Sequence, residues 1–219
     1  THSSNCSLSM RDKLFLNRQR LIAYALSAGA ALPSHSMAHS MYMDSAWNVQ
    51  FRDTVSQSSM LSLVENMQAC HAQRSVVLKT ACSDSMPPIH LSVSSHGGSL
   101  MAGLFAYDRI HAIPNVHSHV EGMVASAATL LTVGASQRTM SKHSFMLVHQ
   151  PSLYIEDTLK YNDMRDNFAT MHKCMEALID VYNATTHLST NELETLLKGD
   201  EILSAKDCLT YGFVDAIDD

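Results

Sequence analysis

The chain has 219 residues, of which 46% are hydrophobic and 16% are charged, as expected of one globular domain rather than a disordered chain. A chain of this length can bury a sizeable core without disulfide bonds. The net charge is −6 with the 13 histidines neutral, and no run of Lys or Arg is present, which argues against nucleic acid as a partner.

Residues 1–45 form an N-terminal extension to which the sequence assigns no fold. Basic residues precede an apolar stretch from Leu21 to Leu32, as in a secretory or other targeting signal. The stretch is too short to span a bilayer, so we expect no membrane span and interpret it as a retained helix, with a targeting signal as the alternative. Five His and Met residues follow in a Ser-rich stretch, and we interpret them as a surface loop rather than a soft-metal site: His35, Met37, His39, Met41 and Met43.

Residues 46–219 form the second predicted unit, in which apolar patterns indicate strands alternating with helices. The patterns predict strands at 47–51, 89–94, 116–120, 145–148 and 213–217, and helices at 56–71, 99–114, 126–133, 161–182, 189–199 and 204–212. Residues 71–88 are predicted to be a connection. This alternation favours an α/β fold with buried sheets.

The longest predicted helix has apolar residues at steps of three and four over about seven turns. They are Tyr161, Met164, Phe168, Met171, Met175, Leu178 and Tyr182. This spacing predicts a continuous apolar seam along one side of the helix.

Four elements of the pattern could supply serine-hydrolase chemistry. Ser126 lies in a small-residue stretch after a strand, His149 follows the strand 145–148, and Asp200 lies further along the chain. A serine hydroxyl becomes nucleophilic when an imidazole accepts its proton, and a carboxylate orients that imidazole. The backbone N–H groups of Gly98 and Ala127 could form an oxyanion hole. Each residue also has a structural interpretation, as a close-packing serine, a hydrogen-bonded histidine, a turn aspartate and a glycine turn, and the spacing alone leaves both interpretations open.

Metal binding is a second chemistry that the sequence allows but does not favour. His117 and His119 share one face of a strand, without an evident third ligand, so we interpret them as hydrogen-bonded strand residues. The cysteines are odd in number and lack C-x-x-C spacing, which indicates reduced thiols of a cytosol-like compartment and no zinc site.

Six motifs, in one order over about residues 47–217, resemble those of the proteolytic subunit of the ATP-dependent Clp protease. Residues 94–99 are similar to the S-P-G-G turn of that family, 102–108 to A-G-x-x-I-Y-D, 122–127 to G-x-A-A-S-M, 146–151 to M-I-H-Q-P, 200–205 to D-x-x-L-S-A and 211–215 to Y-G-L-I-D.

The resemblance implies an α/β fold of stacked β-β-α units, of the ClpP/crotonase type, with a long handle helix. It implies Ser126 as nucleophile, His149 as base, Asp200 as orienting acid, and Gly98 and Ala127 as oxyanion donors. It further implies a homo-oligomeric ring, heptameric and stacked in pairs, into which an AAA+ unfoldase feeds unfolded polypeptides. The unfoldase would use ATP and this chain would need no cofactor, in the cytoplasm or an organellar matrix.

Three departures from the family pattern concern the turn and the ring contacts. His96 replaces the proline of the glycine turn, residues 152–155 replace a glycine-rich hairpin, and Gly199 replaces an arginine. They leave open whether one or two rings form.

The complete triad favours a Clp-type serine endopeptidase. The alternatives are a Clp-like protease dedicated to particular proteins, as in phage head maturation, and a non-catalytic structural ring subunit. A crotonase-like acyl-CoA enzyme would leave the serine and histidine without a role.

Overall fold

The computed structural model describes residues 47–81 and 86–218, which hold seven strands and six α-helices. The strands are β1 (Asn48–Phe51), β2 (Ile89–Ser95), β3 (Val116–Ala125), β4 (Gln137–Ser141), β5 (Phe145–Val148), β6 (Glu201–Ser204) and β7 (Ala216–Asp218). The helices are α1 (Gln57–Ala81), α2 (Leu100–His111), α3 (Thr129–Val133), α4 (Tyr161–Thr185), α5 (Thr190–Lys198) and α6 (Ala205–Tyr211), with a 3₁₀ turn at Ser126–Ala128. The interpretations of the N-terminal apolar stretch and of the His/Met loop concern residues outside this described part.

The strands form one mixed sheet in which β3 is the central member. Parallel strands run in the order β1-β2-β3-β4-β7. The first half of β3 pairs with β4, whereas its last residues pair with β5, and β5 pairs in turn with β6 in the antiparallel direction. Gly122, with φ of +65°, lies between the two halves of β3. Because β3 changes its partner near Gly122, strands β5 and β6 lie beside the C-terminal end of β3, where β4 no longer pairs with it.

One face of the sheet carries the core and the other is polar. In β2, Ile89, Leu91 and Val93 are fully buried, and they alternate with His90, Ser92 and Ser94, which are not. This alternation confirms the predicted strand with one buried face. The fold class predicted from the sequence, a mixed α/β fold, is also observed.

The predicted starts of α2 and α5 and the predicted end of α6 are confirmed by their caps. The Ser99 hydroxyl accepts a hydrogen bond from the N–H of Ala102 at the start of α2. Ser189 and Glu192 form the predicted capping box of α5. Gly212 ends α6 with φ of +83°, a conformation that glycine adopts without strain.

Helix α1 is longer than predicted, because residues 71–81 are helical rather than part of a connection. This segment contains no Pro or Gly, and the connection begins only after it. The buried guanidinium of Arg74 donates to the carbonyl oxygens of Pro87, Pro114 and Asn115, and so joins the extra turns of α1 to the loops that precede β2 and β3. The apolar periodicity of α1 weakens before this point, which is why the sequence-based boundary was wrong.

Two short strands were not predicted, and other boundaries moved. Strand β4 has the polar sequence Gln-Arg-Thr-Met-Ser, and β6 buries only Leu203 well, so neither has a clear alternating pattern. Strand β3 continues past the predicted end to Ala125, the predicted helix at 126–133 begins as a 3₁₀ turn, and the last strand is displaced to Ala216–Asp218.

The long helix α4 is confirmed, but only its C-terminal half packs on the described chain. Leu178 and Tyr182 are buried, whereas Tyr161, Met164 and Phe168 on the same seam are 75%, 53% and 76% exposed. The predicted seam is therefore continuous in sequence and only half covered.

Candidate active site

The strand register brings the three predicted triad residues to neighbouring strand ends. Ala125 pairs with Leu147 in the parallel β3–β5 pair, so Ser126 and His149 both leave the sheet at this edge. Val148 pairs with Glu201 in the antiparallel β5–β6 pair, so the next residue of β5 faces the residue before β6. These residues are His149 and Asp200. The backbone pairing thus leads a serine, a histidine and an aspartate to the same edge of the sheet.

Ser126 has a strained backbone, with φ of +54° at the junction between β3 and the 3₁₀ turn. A non-glycine residue in this region costs about 1–3 kcal/mol and persists where the surrounding structure enforces it. The same sharp strand-to-helix turn is the geometry that presents a nucleophilic serine in many hydrolases. Ser126 itself is half-buried.

Gly97 packs directly against Ser126. A Cβ atom at Gly97 would lie 2.6 Å from Cβ of Ser126 and 2.5 Å from the carbonyl oxygen of Ala125. With φ of +91°, the residue also has a conformation that other residues rarely adopt. Glycine is therefore required at this position by both space and backbone conformation.

The N–H group of Gly98 is directed by a hydrogen bond to its neighbour. The N–H of Val55 donates to the carbonyl oxygen of Gly97 at 2.8 Å. The Gly97 carbonyl and the Gly98 N–H belong to one planar trans peptide and point in opposite directions. The Gly98 N–H therefore points away from Val55, to the side on which β3 and Ser126 lie. This direction suits a donor to an oxyanion formed at Ser126.

His149 and Asp200 lie next to each other without a hydrogen bond. Nδ1 of His149 is 3.9 Å from Oδ1 of Asp200, which is an ion-pair distance rather than a hydrogen-bond distance. The Asp200 side chain is 75% exposed. The backbone of Asp200 has a φ of +46°, in the left-handed region that aspartate tolerates. In the described part of the chain, no hydrogen bond links His149 to Ser126. Such contacts are often long in a free enzyme and tighten in the substrate complex.

The two strand histidines are held by hydrogen bonds, as interpreted from the sequence. Nε2 of His117 lies 2.9 Å from Oδ1 of Asn115. His119 contacts the hydroxyls of Thr139 and Ser141 at 2.7 and 2.9 Å. Across residues 47–81 and 86–218 no group of three His, Cys, Asp or Glu side chains is arranged to hold a metal ion. A surface depression of about 510 Å³ beside His119 contains none of the candidate triad residues.

The described cysteines are poor candidates for a competing nucleophile. Burial, with a smaller contribution from Asp207, raises the pKa of Cys208 to about 12, and burial also raises the pKa of Cys70. Cys174 is buried as well. A thiol that stays protonated at neutral pH does not react readily.

Two residues behind Ser126 were not predicted to belong to the site. Thr129 Oγ1 donates to the carbonyl oxygen of Ser126 at 2.6 Å and lies 2.7 Å from the hydroxyl of Tyr182. The sequence offered one weak signal, which is that Tyr182, like Tyr161, places a hydroxyl on a helix seam that is otherwise apolar.

None of the helices in residues 47–81 and 86–218 has both the length and the apolar character needed to cross a membrane.

The family model and the relatives that match this chain all carry the name Clp protease. A family model described as Clp protease matches residues 46–219. The chain is 30% identical over 133 residues to the "ATP-dependent Clp protease proteolytic subunit 1" of Chlamydia muridarum, covering 59% of this chain and 69% of the relative. It is 29% identical over 144 residues to the protein of the same name from Leifsonia xyli, covering 64% and 72%. It is 28% identical over 137 residues to the "ATP-dependent Clp protease proteolytic subunit" of Epifagus virginiana, covering 61% and 69%.

Proposed function

The chain belongs to the Clp protease family, and on this premise we propose that it is a serine endopeptidase subunit that hydrolyses peptide bonds of unfolded polypeptides. In this proposal Ser126 is the nucleophile, His149 the general base, and Asp200 the carboxylate that orients His149. The N–H groups of Gly98 and Ala127 are the oxyanion donors.

The reaction follows from the chemistry of these groups. His149 accepts the proton of the Ser126 hydroxyl as Oγ attacks the peptide carbonyl carbon, and the carbonyl oxygen becomes an oxyanion. The two N–H groups stabilise that oxyanion, and His149 then protonates the leaving amine. Water attacks the resulting acyl-enzyme by the reverse sequence of proton transfers and releases the second product. The reaction needs no cofactor in this chain.

The observation that carries the proposal is the shared edge of β3, β5 and β6. Three strand ends with fixed register lead Ser126, His149 and Asp200 to the same edge of the sheet, and Ser126 has a strained φ of +54°. Of the structural interpretations considered from the sequence, a close-packing serine would need neither this strain nor a neighbouring histidine and aspartate. The family membership supports the same three roles.

The oligomer and its partner are part of the proposal. Exposed apolar side chains are concentrated on the first half of α4 and the segment before it: Leu153, Tyr154, Ile155, Tyr161, Met164 and Phe168. Exposed apolar clusters of this kind support assembly with further copies of the chain. We assign to that assembly a heptameric ring, single or double, whose chamber encloses Ser126. An AAA+ unfoldase would supply unfolded chains and use ATP, in the cytoplasm or an organellar matrix.

A fluorophosphonate probe tests the activated serine. The purified protein is labelled, the adduct is mapped by peptide mass, and particle size is recorded in the same samples. We expect one adduct on Ser126 that is lost in Ser126→Ala and in His149→Ala but retained in His119→Ala, which removes a histidine of the polar sheet face. No adduct in a fully assembled ring would contradict the proposal and favour a non-catalytic ring subunit. Casein digestion with and without an unfoldase tests the substrate class.

A further inference from the structure

A buried hydrogen-bonded pair lies directly behind the candidate nucleophile. Thr129, at the start of α3, and Tyr182, on α4, are 0% and 2% exposed, and their hydroxyl oxygens are 2.7 Å apart. Thr129 Oγ1 is also 2.6 Å from the carbonyl oxygen of Ser126. The contact joins two helices that are more than 50 positions apart in the chain to the turn that holds Ser126.

The direction of each proton in this pair can be assigned. A carbonyl oxygen only accepts hydrogen bonds, so Thr129 must use its single hydroxyl proton on Ser126. The proton between the two hydroxyls therefore comes from Tyr182. Burial raises the pKa of Tyr182 to about 12, so the phenol keeps its proton at neutral pH. The result is a one-way chain of donors from Tyr182 to Thr129 to the Ser126 carbonyl.

Holding this carbonyl also fixes the direction of a neighbouring N–H group. The Ser126 carbonyl and the Ala127 N–H belong to one planar trans peptide, so they point in opposite directions. The carbonyl oxygen accepts both the N–H and the hydroxyl of Thr129, and thus points into the start of α3. The Ala127 N–H must then point out of that helix start. The N–H of Val55 acts on Gly98 in the same way, through the Gly97 carbonyl.

We propose that Tyr182 and Thr129 are positioning residues that lock the Ser126–Ala127 peptide, and thereby aim the Ala127 N–H at the oxyanion. This inference rests on the proposed function, because the Ala127 N–H faces an oxyanion in the proposed reaction only if Ser126 attacks a carbonyl group. Tyr182 acts through Thr129 and contacts neither the substrate nor the reacting atoms.

A purely structural role predicts different behaviour, and Thr132 provides the comparison. Its hydroxyl donates to the carbonyl oxygen three residues earlier, that of Thr129, at 2.7 Å, and the residue is 0% exposed. Thr132 thus makes the same kind of hydrogen bond one step further along α3, away from the Ser126 peptide. Thr129→Val and Thr132→Val each remove a hydroxyl from a fully buried residue, but only Thr129→Val also removes the partner of Tyr182.

The test compares variants in peptide hydrolysis and in fluorophosphonate labelling. We expect Thr129→Val and Tyr182→Phe to lower kcat and the labelling rate roughly fivefold to tenfold with KM unchanged, because a misdirected donor weakens only transition-state binding. Thr129→Ser, which keeps the hydroxyl, should restore wild-type rates, and Thr132→Val should leave them unchanged. Equal rates in Thr129→Val and Thr132→Val would overturn the proposal.

The double variant separates positioning from stability. Thr129→Val leaves the buried Tyr182 phenol without an acceptor, and adding Tyr182→Phe removes that orphaned donor. The double variant should therefore be at least as stable as Thr129→Val while reacting as slowly. A rate that follows stability across the three variants would instead indicate a packing role.

Amide hydrogen exchange provides a readout that does not depend on activity. The peptide covering residues 122–128 should exchange faster in Thr129→Val and Tyr182→Phe than in Thr132→Val. If the fluorophosphonate probe failed to label the wild-type protein, that result would count against the proposed function but not against the positioning roles. Unchanged exchange in that peptide would overturn the positioning roles whether or not Ser126 reacts.

Discussion

The imidazole of His149 and the carboxylate of Asp200 face each other across the β5–β6 pair, with Nδ1 and Oδ1 separated by 3.9 Å. The antiparallel register fixes their backbones, whereas the aspartate side chain is 75% exposed and free of the packing that would hold it closer. The main-chain register therefore positions the two residues, and the proposed mechanism requires the exposed aspartate side chain to move closer to the imidazole.

The first prediction concerns this pair. Asp200→Asn should lower kcat for peptide hydrolysis about 100-fold or more, because an amide neither stabilises the charged imidazole nor holds its required tautomer. Steady-state kinetics on a short fluorogenic peptide would measure the effect. Asp218→Asn is the matched control, since Oδ2 of Asp218 lies 3.3 Å from Nδ1 of His119, outside the candidate triad. Full activity in Asp200→Asn would remove this residue from the mechanism.

A second prediction concerns the glycine that packs on Ser126. Gly97→Ala should abolish labelling of Ser126 and destabilise the protein by more than the roughly 1–3 kcal/mol of backbone strain, because the new Cβ would overlap Ser126 and the Ala125 carbonyl. Denaturant titration and labelling rates would be measured together. Gly122→Ala separates strain from overlap. Gly122 has a φ of +65°, but the nearest atom to a new Cβ there is Ser94 Oγ at 3.5 Å. The Gly122→Ala variant should therefore be less stable than the wild type and keep most of the labelling of Ser126. Equal effects of both substitutions would show that overlap with Ser126 is unimportant.

The third prediction concerns the buried cation that secures the extended α1. Arg74→Met should lower the free energy of unfolding by roughly 3 kcal/mol, because three loop carbonyls lose a charged donor that water cannot readily replace. Urea denaturation would measure the loss. Arg52→Met removes an arginine whose side chain is 32% exposed and pairs with Glu121, and should cost about 1 kcal/mol or less. A loss for Arg74→Met as small as that for Arg52→Met would contradict the anchoring role.

Stability should also depend on pH through two partly buried histidines. Burial, and then the positive charge of Arg74, lower the pKa of His71, and burial and His90 lower the pKa of His117. At these two histidines the unfolded chain therefore binds protons more tightly than the folded chain. The free energy of unfolding should therefore fall as the pH drops through about 6.5, the ordinary imidazole value, towards the lower folded-state values. Urea titrations between pH 8 and pH 5 would measure the slope.

Substitution of the two histidines tests whether they cause the dependence of the free energy of unfolding on pH. His71→Gln and His117→Gln should each flatten the dependence, and the double variant should flatten it further. A double variant with the full wild-type slope would show that other groups cause the acid sensitivity.

The sequence predicts the positions of the candidate site better than its geometry. Ser126 and His149 each follow an apolar run, and the structure does place them after β3 and β5. The positive φ of Ser126 is not visible in the sequence, because it depends on Thr129 and Gly97 packing around the turn. Asp200 precedes a strand too short and too exposed to be recognised by alternation.

The differences in the fold have a common physical origin. Periodicity shows which residues share a face but not what covers that face, so the seam of α4 was predicted although half of it is exposed. The unpredicted last turns of α1 contain Arg74, whose guanidinium donates to carbonyl oxygens more than ten positions away in the chain. Strand β4 forms because β3 and β7 supply its hydrogen-bond partners. Such long-range contacts have no local signature.

The order in which β3, β5 and β6 occur in the chain affects synthesis as well as architecture. A growing polypeptide presents Ser126 first, His149 later, and Asp200 only after the whole of α4 and α5 has been made. Because β6 pairs with β5 and so sets the position of Asp200 beside His149, a nascent chain that stops before this strand has not yet positioned the proposed acid. Translation itself would thus delay peptide-bond cleavage by the proposed protease until β6 has left the ribosome.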